Sequence, residues 1–306
     1  MKTRKPKIKT FYTSKMALSE ISENTSESPQ KPRRIIEYLN QQNLINHFQI
    51  IDNFLPFEKQ DFYIAHHQEY VDSFFSEELN RRYRRMLGIK WSKEFADTTR
   101  YTNASFYNAI LSSIKDPDTI CFSPTSGFHH ATPKFGGFFC SFSGQVIAST
   151  KIYRDLGLSG AYIDLDAHHG NSIDNSYDYI SDLHLAIPPE IGNINIEGKN
   201  TEYLTNLELE LEKLKKWIVE KKIHYLVFCH GADSCEEDDL GRLLTKNEWL
   251  ECSRIFYNFV ANLDNTHGIK IPLAISLFGG YNKKDFNKVL DLHAQDLMIC
   301  IKTLCT

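Results

Sequence analysis

Hydrophobic and polar positions alternate along this chain in two rhythms. Leu204, Leu207, Leu211, Leu214 and Ile218 recur every three or four residues, the period of one amphipathic helix. Trp249, Cys252, Phe256, Phe259, Val260 and Leu263 keep the same period behind Thr245 and Glu248, a pair with capping-box spacing. Pro32 opens another helix, at a first turn where its missing N–H is no loss. A last helix is predicted from about residue 284 to 304. Between these lie short apolar runs at 119–123, 161–166, 183–187, 225–229 and 271–278, which predict strands. Strands alternating with helices imply a mostly parallel sheet covered on both faces, so the expected fold is a three-layer α/β/α. No repeat, heptad array or linker interrupts it, and residues 1–306 read as one domain. Within it, residues 1–9 are basic and the Ser- and Glu-rich stretch 19–31 reads as a surface loop, either ordered or partly flexible, which makes 1–31 the candidate flexible segment.

Candidate chemistry gathers where predicted strands end, the edge of an open α/β sheet at which ligands bind. Asp-Leu-Asp-Ala-His-His-Gly occupies 164–170. Side chains alternate along a strand, so Asp164, Asp166 and His168 share a face, a donor set suited to Zn²⁺ or Fe²⁺. Gly231-Ala-Asp233-Ser follows the fourth run. Asp233 alone would serve as a helix cap, but beside the first cluster it supplies a third ligand, and three ligands with an open position make a catalytic metal site. His129 and His130 follow a glycine after the first run and suit general acid–base work. Gly279-Gly280-Tyr281 follows the last, placing a hydroxyl where it could donate to an oxyanion. His66-His67 reads as a surface pair, and the basic stretch 81–85 as a solvated helix face ahead of a substrate or targeting patch.

Composition changes this picture little. The formal net charge of −4 calls for no nucleic-acid partner. Seven cysteines without a CxxC pair read as reduced, mostly buried thiols of an intracellular protein, cytoplasmic or nuclear. The apolar run 271–278 is too short to span a bilayer, and the basic N-terminus lacks the apolar core of a secretory signal.

Taken together and in this order, the four clusters resemble the histone deacetylase superfamily, which also holds acetylpolyamine deacetylases and acetoin-utilisation proteins. The resemblance covers about residues 119–282, and Glu27-Ser-Pro-Gln-Lys-Pro-Arg-Arg-Ile is similar to an early HPERP-type segment of that family. It implies the arginase/deacetylase fold and zinc-dependent hydrolysis of N-acetyl-lysine in proteins, with histone tails among the expected partners. By resemblance, Asp166, His168 and Asp233 bind one zinc ion, His130 is the general base and acid, His129 its electrostatic partner, and Tyr281 polarises the carbonyl. Asp164 would orient His129 and touch a structural K⁺, Asn171 would contact the second histidine as in class II, and His169 and Asp182 would complete the surrounding shell, with Asp182 near the cation. Phe139 would wall the acyl-lysine channel, with Phe138 as the alternative and Gly280 beside them.

This chain departs from the family in carrying Ser143-Gly144 where Asn is usual, Cys229-His230 before Gly-Ala-Asp, and Pro188-Pro189-Glu190-Ile191 where a second channel aromatic is expected, which implies an aliphatic wall. Three alternatives follow. The acidic run Glu236-Glu237-Asp238-Asp239 suits the mouth of an acetylpolyamine deacetylase. An arginase-type two-manganese site would need further carboxylates where Gly170-Asn171 stands. A non-catalytic acetyl-lysine binding protein would not need the full residue set.

Overall fold

Every residue of the run Tyr225–Cys229 is buried, so it must be covered on both sides. The computed structural model, which describes residues 8–19 and 27–305, provides that cover. Among the described residues there are seven strands: β1 (Ile8–Phe11), β2 (Phe48–Ile51), β3 (Ile120–Ser123), β4 (Gly160–Asp164), β5 (Asn193–Asn195), β6 (Tyr225–Cys229) and β7 (Leu273–Ser276). They form one sheet in the order β2-β1-β3-β7-β6-β4-β5, with every neighbouring pair parallel. Alternation sorts the strand residues between two cores. Ala161, Ile163, Leu226 and Phe228 pack with Leu211, Leu214, Trp249, Phe256 and Leu297. These come from the helices Asn200–Val219, Lys246–His267 and Asn287–Leu304. Tyr162, Tyr225, Val227 and Cys229 pack on the opposite side with Phe106, Ile110, Val146 and Ile147. Those belong to the helices Lys93–Lys115 and Gly144–Leu156. This is the expected three-layer α/β/α arrangement.

The helical predictions hold in detail. Thr245 Oγ1 accepts from the Glu248 amide at 3.3 Å, and Glu248 Oε2 accepts from the Thr245 amide at 2.9 Å, closing the capping box. Pro32 lies in the first turn of the helix Lys31–Gln41. Six of the seven cysteines are buried, and none of the seven forms a disulfide. Among the described residues no helix is long and apolar enough to cross a membrane.

Four strand expectations stand, and one is corrected. Residues 183–187 are the helix Leu183–Ala186 rather than a strand. Leu183, Ala186 and Ile187 are buried while His184 and Leu185 are exposed, a helical rhythm inside a run too short to announce it. The strand that takes this place in the sheet is β5, whose Asn-Ile-Asn sequence gives no apolar signal. β1 and β2 were also unforeseen. Ile8–Phe11 is an interior strand flanked by β2 and β3, so this part of the candidate flexible segment is held in the sheet. The basic residues within 1–7 and the Ser/Glu stretch at 20–26 lie outside the described residues.

Phe228 stacks on Phe256 with ring centres 4.0 Å apart and planes 6° from parallel, on the strand that leads to Asp233. Phe228→Ala is expected to destabilise the protein by about 3–5 kcal/mol. Urea denaturation would read this as a lower midpoint with an unchanged slope, and an unmoved midpoint would contradict the packing argument.

Candidate active site

Because the sheet is parallel, the carboxyl ends of β3, β7, β6 and β4, four neighbours in the order of strands, open onto one edge. The loops leaving them carry the histidine pair, Gly279 to Tyr281, Asp233, and Asp166 with His168, respectively. Four segments distant in sequence therefore meet.

The loop after β4 is shaped by its own carboxylates. Asp164 Oδ1 accepts from the Asp166 amide at 3.1 Å, and Asp166 Oδ1 accepts from the His168 amide at 2.9 Å. His168 Nδ1 stands 3.1 Å from Asp166 Oδ1 and 2.9 Å from Asp233 Oδ2. One donor atom from each of Asp166, His168 and Asp233 lies within 4.8 Å of the others. Gly279 donates to Asp166 Oδ2 at 2.8 Å, and a β-carbon at Gly279 would sit 2.4 Å from oxygens of both Asp166 and Asp233. Glycine is therefore required there by proximity. Trp249 Nε1 holds the Gly231 carbonyl at 2.9 Å and so fixes the Asp233 loop.

The charges fit a cation. Burial and the adjoining Asp166 push Asp233 up to about 8. Hydrogen bonds that the ring donates to Asp166 and then Asp233 push the His168 imidazole up to about 10, so these carboxylates bind a positive charge strongly. A divalent ion would supply that compensation and displace the proton from Nδ1.

Beside this set, His129 Nδ1 lies 2.9 Å from Asp164 Oδ2 and its Nε2 3.7 Å from Asp166 Oδ1. Burial lowers the pKa of His129, but Asp166 and Asp164 outweigh it and raise it to about 9. His130 is opposite in character: burial first, then the charge of His129, lowers it to about 4. Its Nδ1 faces Asn171 Oδ1 at 3.4 Å. One imidazole is thus held charged and its neighbour, 4.1 Å away between ring centres, neutral.

Tyr281 packs 5.4 Å from the Phe139 ring and 6.4 Å from the His168 ring. Burial, then Asp166 and Asp233, raises its hydroxyl well above the ordinary value, so it remains a donor. Both candidate aromatics reach the site. Phe139 lies against Tyr281, while Phe138, 73% exposed, stands edge-on to His130 at 5.5 Å. Both have left-handed backbone, φ 46° and 70°. Gly280 is buried behind Tyr281 against Val289 and Ala232, while Gly279 makes the close approach to the ligands.

Three sequence expectations are corrected. His169 turns outward to Asp174 at 3.6 Å and does not join the inner shell. Asp182 is bound by Arg154 at 2.7 and 2.9 Å instead of lying beside Asp164; Asn195, which accepts from the Gly170 amide at 2.6 Å, stands next to that loop. Pro188 to Ile191 precede β5, at the sheet edge away from the site, and cannot wall the channel.

Three residues were missed or misread. Asp238 belongs to the acidic run but is buried: Oδ2 accepts from the Tyr281 amide at 2.6 Å and Oδ1 from Leu240 at 2.9 Å. Lys31 is fully buried, donates to the Phe278 carbonyl, and is lowered to about 8 by burial despite the nearby Asp233 and Asp166. His66 is no surface residue: Nδ1 meets the Thr132 carbonyl at 2.8 Å and Nε2 accepts from Ser143 at 2.9 Å, bracing the histidine loop. A lysine beside an apolar helix start was the only sequence signal for Lys31, and His66 gave none.

Comparison with known proteins agrees with this geometry. The HD domain of HDA15 has the same fold, with a TM-score of 0.68 over 98% of this chain and 89% of that one at 15% identity. An uncharacterized protein of Picosynechococcus sp. is 23% identical over 232 residues, 72% of this chain and 75% of that protein. The sequence profile of the histone deacetylase domain matches residues 25–186, more than half of the chain and the part that carries the histidine pair, Asp166 and His168. This chain belongs to the histone deacetylase family, a family of deacetylases.

Proposed function

We propose that the protein is a zinc-dependent deacetylase that hydrolyses N-acetyl-lysine in proteins. The observation that carries this reading is the convergence of the Asp166, His168 and Asp233 donors within 4.8 Å, beside a neutral His130 and a protonated Tyr281. Asp166, His168 and Asp233 would hold the zinc ion, which would supply Lewis-acid polarisation of the acyl carbonyl and a lowered pKa for water, about 7 in favourable sites. His130 accepts the proton of the attacking water and returns it to the lysine nitrogen as the C–N bond breaks, giving acetate and the free amine. Charged His129, locked by Asp164, keeps His130 neutral beforehand and steadies the negative charge that builds. The Tyr281 hydroxyl donates to the carbonyl oxygen as that charge develops. A structural K⁺ near the buried Asp164, a single domain and an intracellular setting complete the proposal.

The acetylpolyamine alternative needs a free acidic mouth. Glu237 instead pairs with Lys288 at 2.7 Å, Asp238 holds Tyr281, and Asp239 accepts from the Lys283 amide at 2.8 Å. The test is to incubate zinc-loaded protein with an acetyl-lysine peptide and with an acetylated polyamine and follow loss of acetyl by mass spectrometry. Turnover of the polyamine alone would overturn the protein-substrate reading; acetyl-peptide binding without acetate release would favour a non-catalytic binder.

Asp238 gives a sharper prediction. Asp238→Asn sets an amide N–H against one of the two backbone N–H groups that the carboxylate now accepts from, so the Tyr281 loop must shift. Turnover is expected to fall about 10²-fold, the typical cost of a misplaced catalytic group, with KM and bound metal little changed. Unchanged kcat would remove Asp238 from this positioning role.

A further inference from the structure

The basic stretch 81–85 has an unexpected location. It forms the helix Arg81–Leu87, which ends at Gly88 in the left-handed conformation, φ 67°. The last carbonyls of a helix have no partner within it. Here two of them are met by the channel wall: Phe138 donates to the Met86 carbonyl at 3.2 Å and Phe139 to the Leu87 carbonyl at 2.9 Å. A β-carbon at Gly88 would come within 3.0 Å of the Phe139 ring. Helix and wall are therefore one unit, and the exposed Phe138 that leads out from His130 continues onto the helix end.

Residues three and four apart share a helix face, so Arg81, Arg82 and Arg85 stand together, opposite the buried Tyr83 and Leu87. All three are exposed, as is Met86 beside them. The nearby acids are engaged elsewhere: Glu78 with Arg84 at 2.9 Å, Glu77 with Lys93, and Glu69 with the Tyr83 hydroxyl. Arg82 lies over the Tyr83 ring at 5.0 Å, and none of the three arginines forms an ion pair with a described residue. Across the channel, Glu237, Asp238 and Asp239 are occupied as described, leaving Glu236 as the exposed acid of that run.

We infer that the Arg81, Arg82 and Arg85 face is the substrate-selecting rim of the channel, and that it takes acyl-lysine chains flanked by acidic residues in preference to basic tails. The inference rests on the deacetylase reading of the site and names the substrate class it serves. A chain threading its lysine past Phe138 runs along this face, where Asp or Glu side chains meet guanidinium groups that have no other carboxylate partner.

Two peptides sharing one central acetyl-lysine, flanked by three aspartates or by three lysines, test it. In low salt the acidic peptide is expected to show about a tenfold higher kcat/KM, a gap that shrinks as salt screens the contact. Replacing all three arginines by Gln should bring the two peptides together, and replacing them by Lys should restore most of the gap, a rescue that a merely structural role would not give. Equal rates, or preference for the basic peptide, would overturn the inference while leaving the deacetylase reading intact. If neither peptide is turned over, that reading fails, and fluorescence anisotropy of the same labelled peptides decides the rim: tighter, arginine-dependent binding of the acidic one supports it, and its absence overturns it. A labelled DNA duplex bound more tightly than the acidic peptide through the same arginines would assign the face to nucleic acid and overturn it as well.

Discussion

Tyr281→Phe is expected to keep the bound metal and fold while cutting kcat by about 10²–10³, the usual consequence of losing one oxyanion donor. The substitution removes a single oxygen. The ring that packs against Phe139 and His168 remains, and so does the backbone amide held by Asp238. No metal-binding atom is lost, since the candidate donors are Asp166, His168 and Asp233. A hydrogen bond to oxygen strengthens as charge accumulates on it, so the loss should fall on kcat, with KM little changed. Burial together with Asp166 and Asp233 keeps the wild-type hydroxyl protonated across the working pH range, so the deficit should not vary with pH on its account. Steady-state kinetics with metal analysis of the same sample would check this. Near-normal kcat would remove the donor role, and loss of metal would make Tyr281 structural.

What the chain discloses about itself depends on distance. Asp166, His168, Asp233, His130 and Tyr281 each follow an apolar strand within a few residues, so a local pattern places all of them at one sheet edge. Tyr225–Cys229 is legible to its ends because every residue in it is buried. β5 is not, because its register depends on β4 rather than on its own Asn-Ile-Asn. Partners are the least legible feature. Asp238 meets the Tyr281 amide 43 residues on, and Lys31 meets a carbonyl 247 residues away. A run of carboxylates reads as a free acidic mouth until those partners are known, and five residues of arginine and tyrosine read as a solvated face until the end of their helix is seen bonded to the amides of Phe138 and Phe139. Asp182 was misplaced for the same reason, because nothing near it in sequence announces Arg154.

The largest effect is expected from Asp166→Ala, which should abolish both metal binding and activity. Asp166 is buried and makes four contacts with three neighbours: it accepts from the Gly279 amide at 2.8 Å and the His168 amide at 2.9 Å, meets His168 Nδ1 at 3.1 Å, and lies 3.7 Å from His129 Nε2. Alanine leaves the buried Gly279 amide without an acceptor, at about 1–3 kcal/mol, and the part-buried His168 amide without one as well. It also leaves the metal with two protein ligands in place of three. One repulsion is relieved, because Asp233 no longer faces a second carboxylate, so the folded chain can survive the change. Wild-type protein should melt at a higher temperature when metal is added, since a ligand that binds only the native state stabilises it. The variant should show no such shift at any metal concentration. In the wild type that stabilisation should weaken on acidification, as the ion then competes with the proton that Asp166 and Asp233 hold on His168. Metal at one equivalent in wild type and none in the variant fits the assignment. Two equivalents in wild type would favour a dinuclear hydrolase, and full occupancy in the variant would refute Asp166 as a ligand.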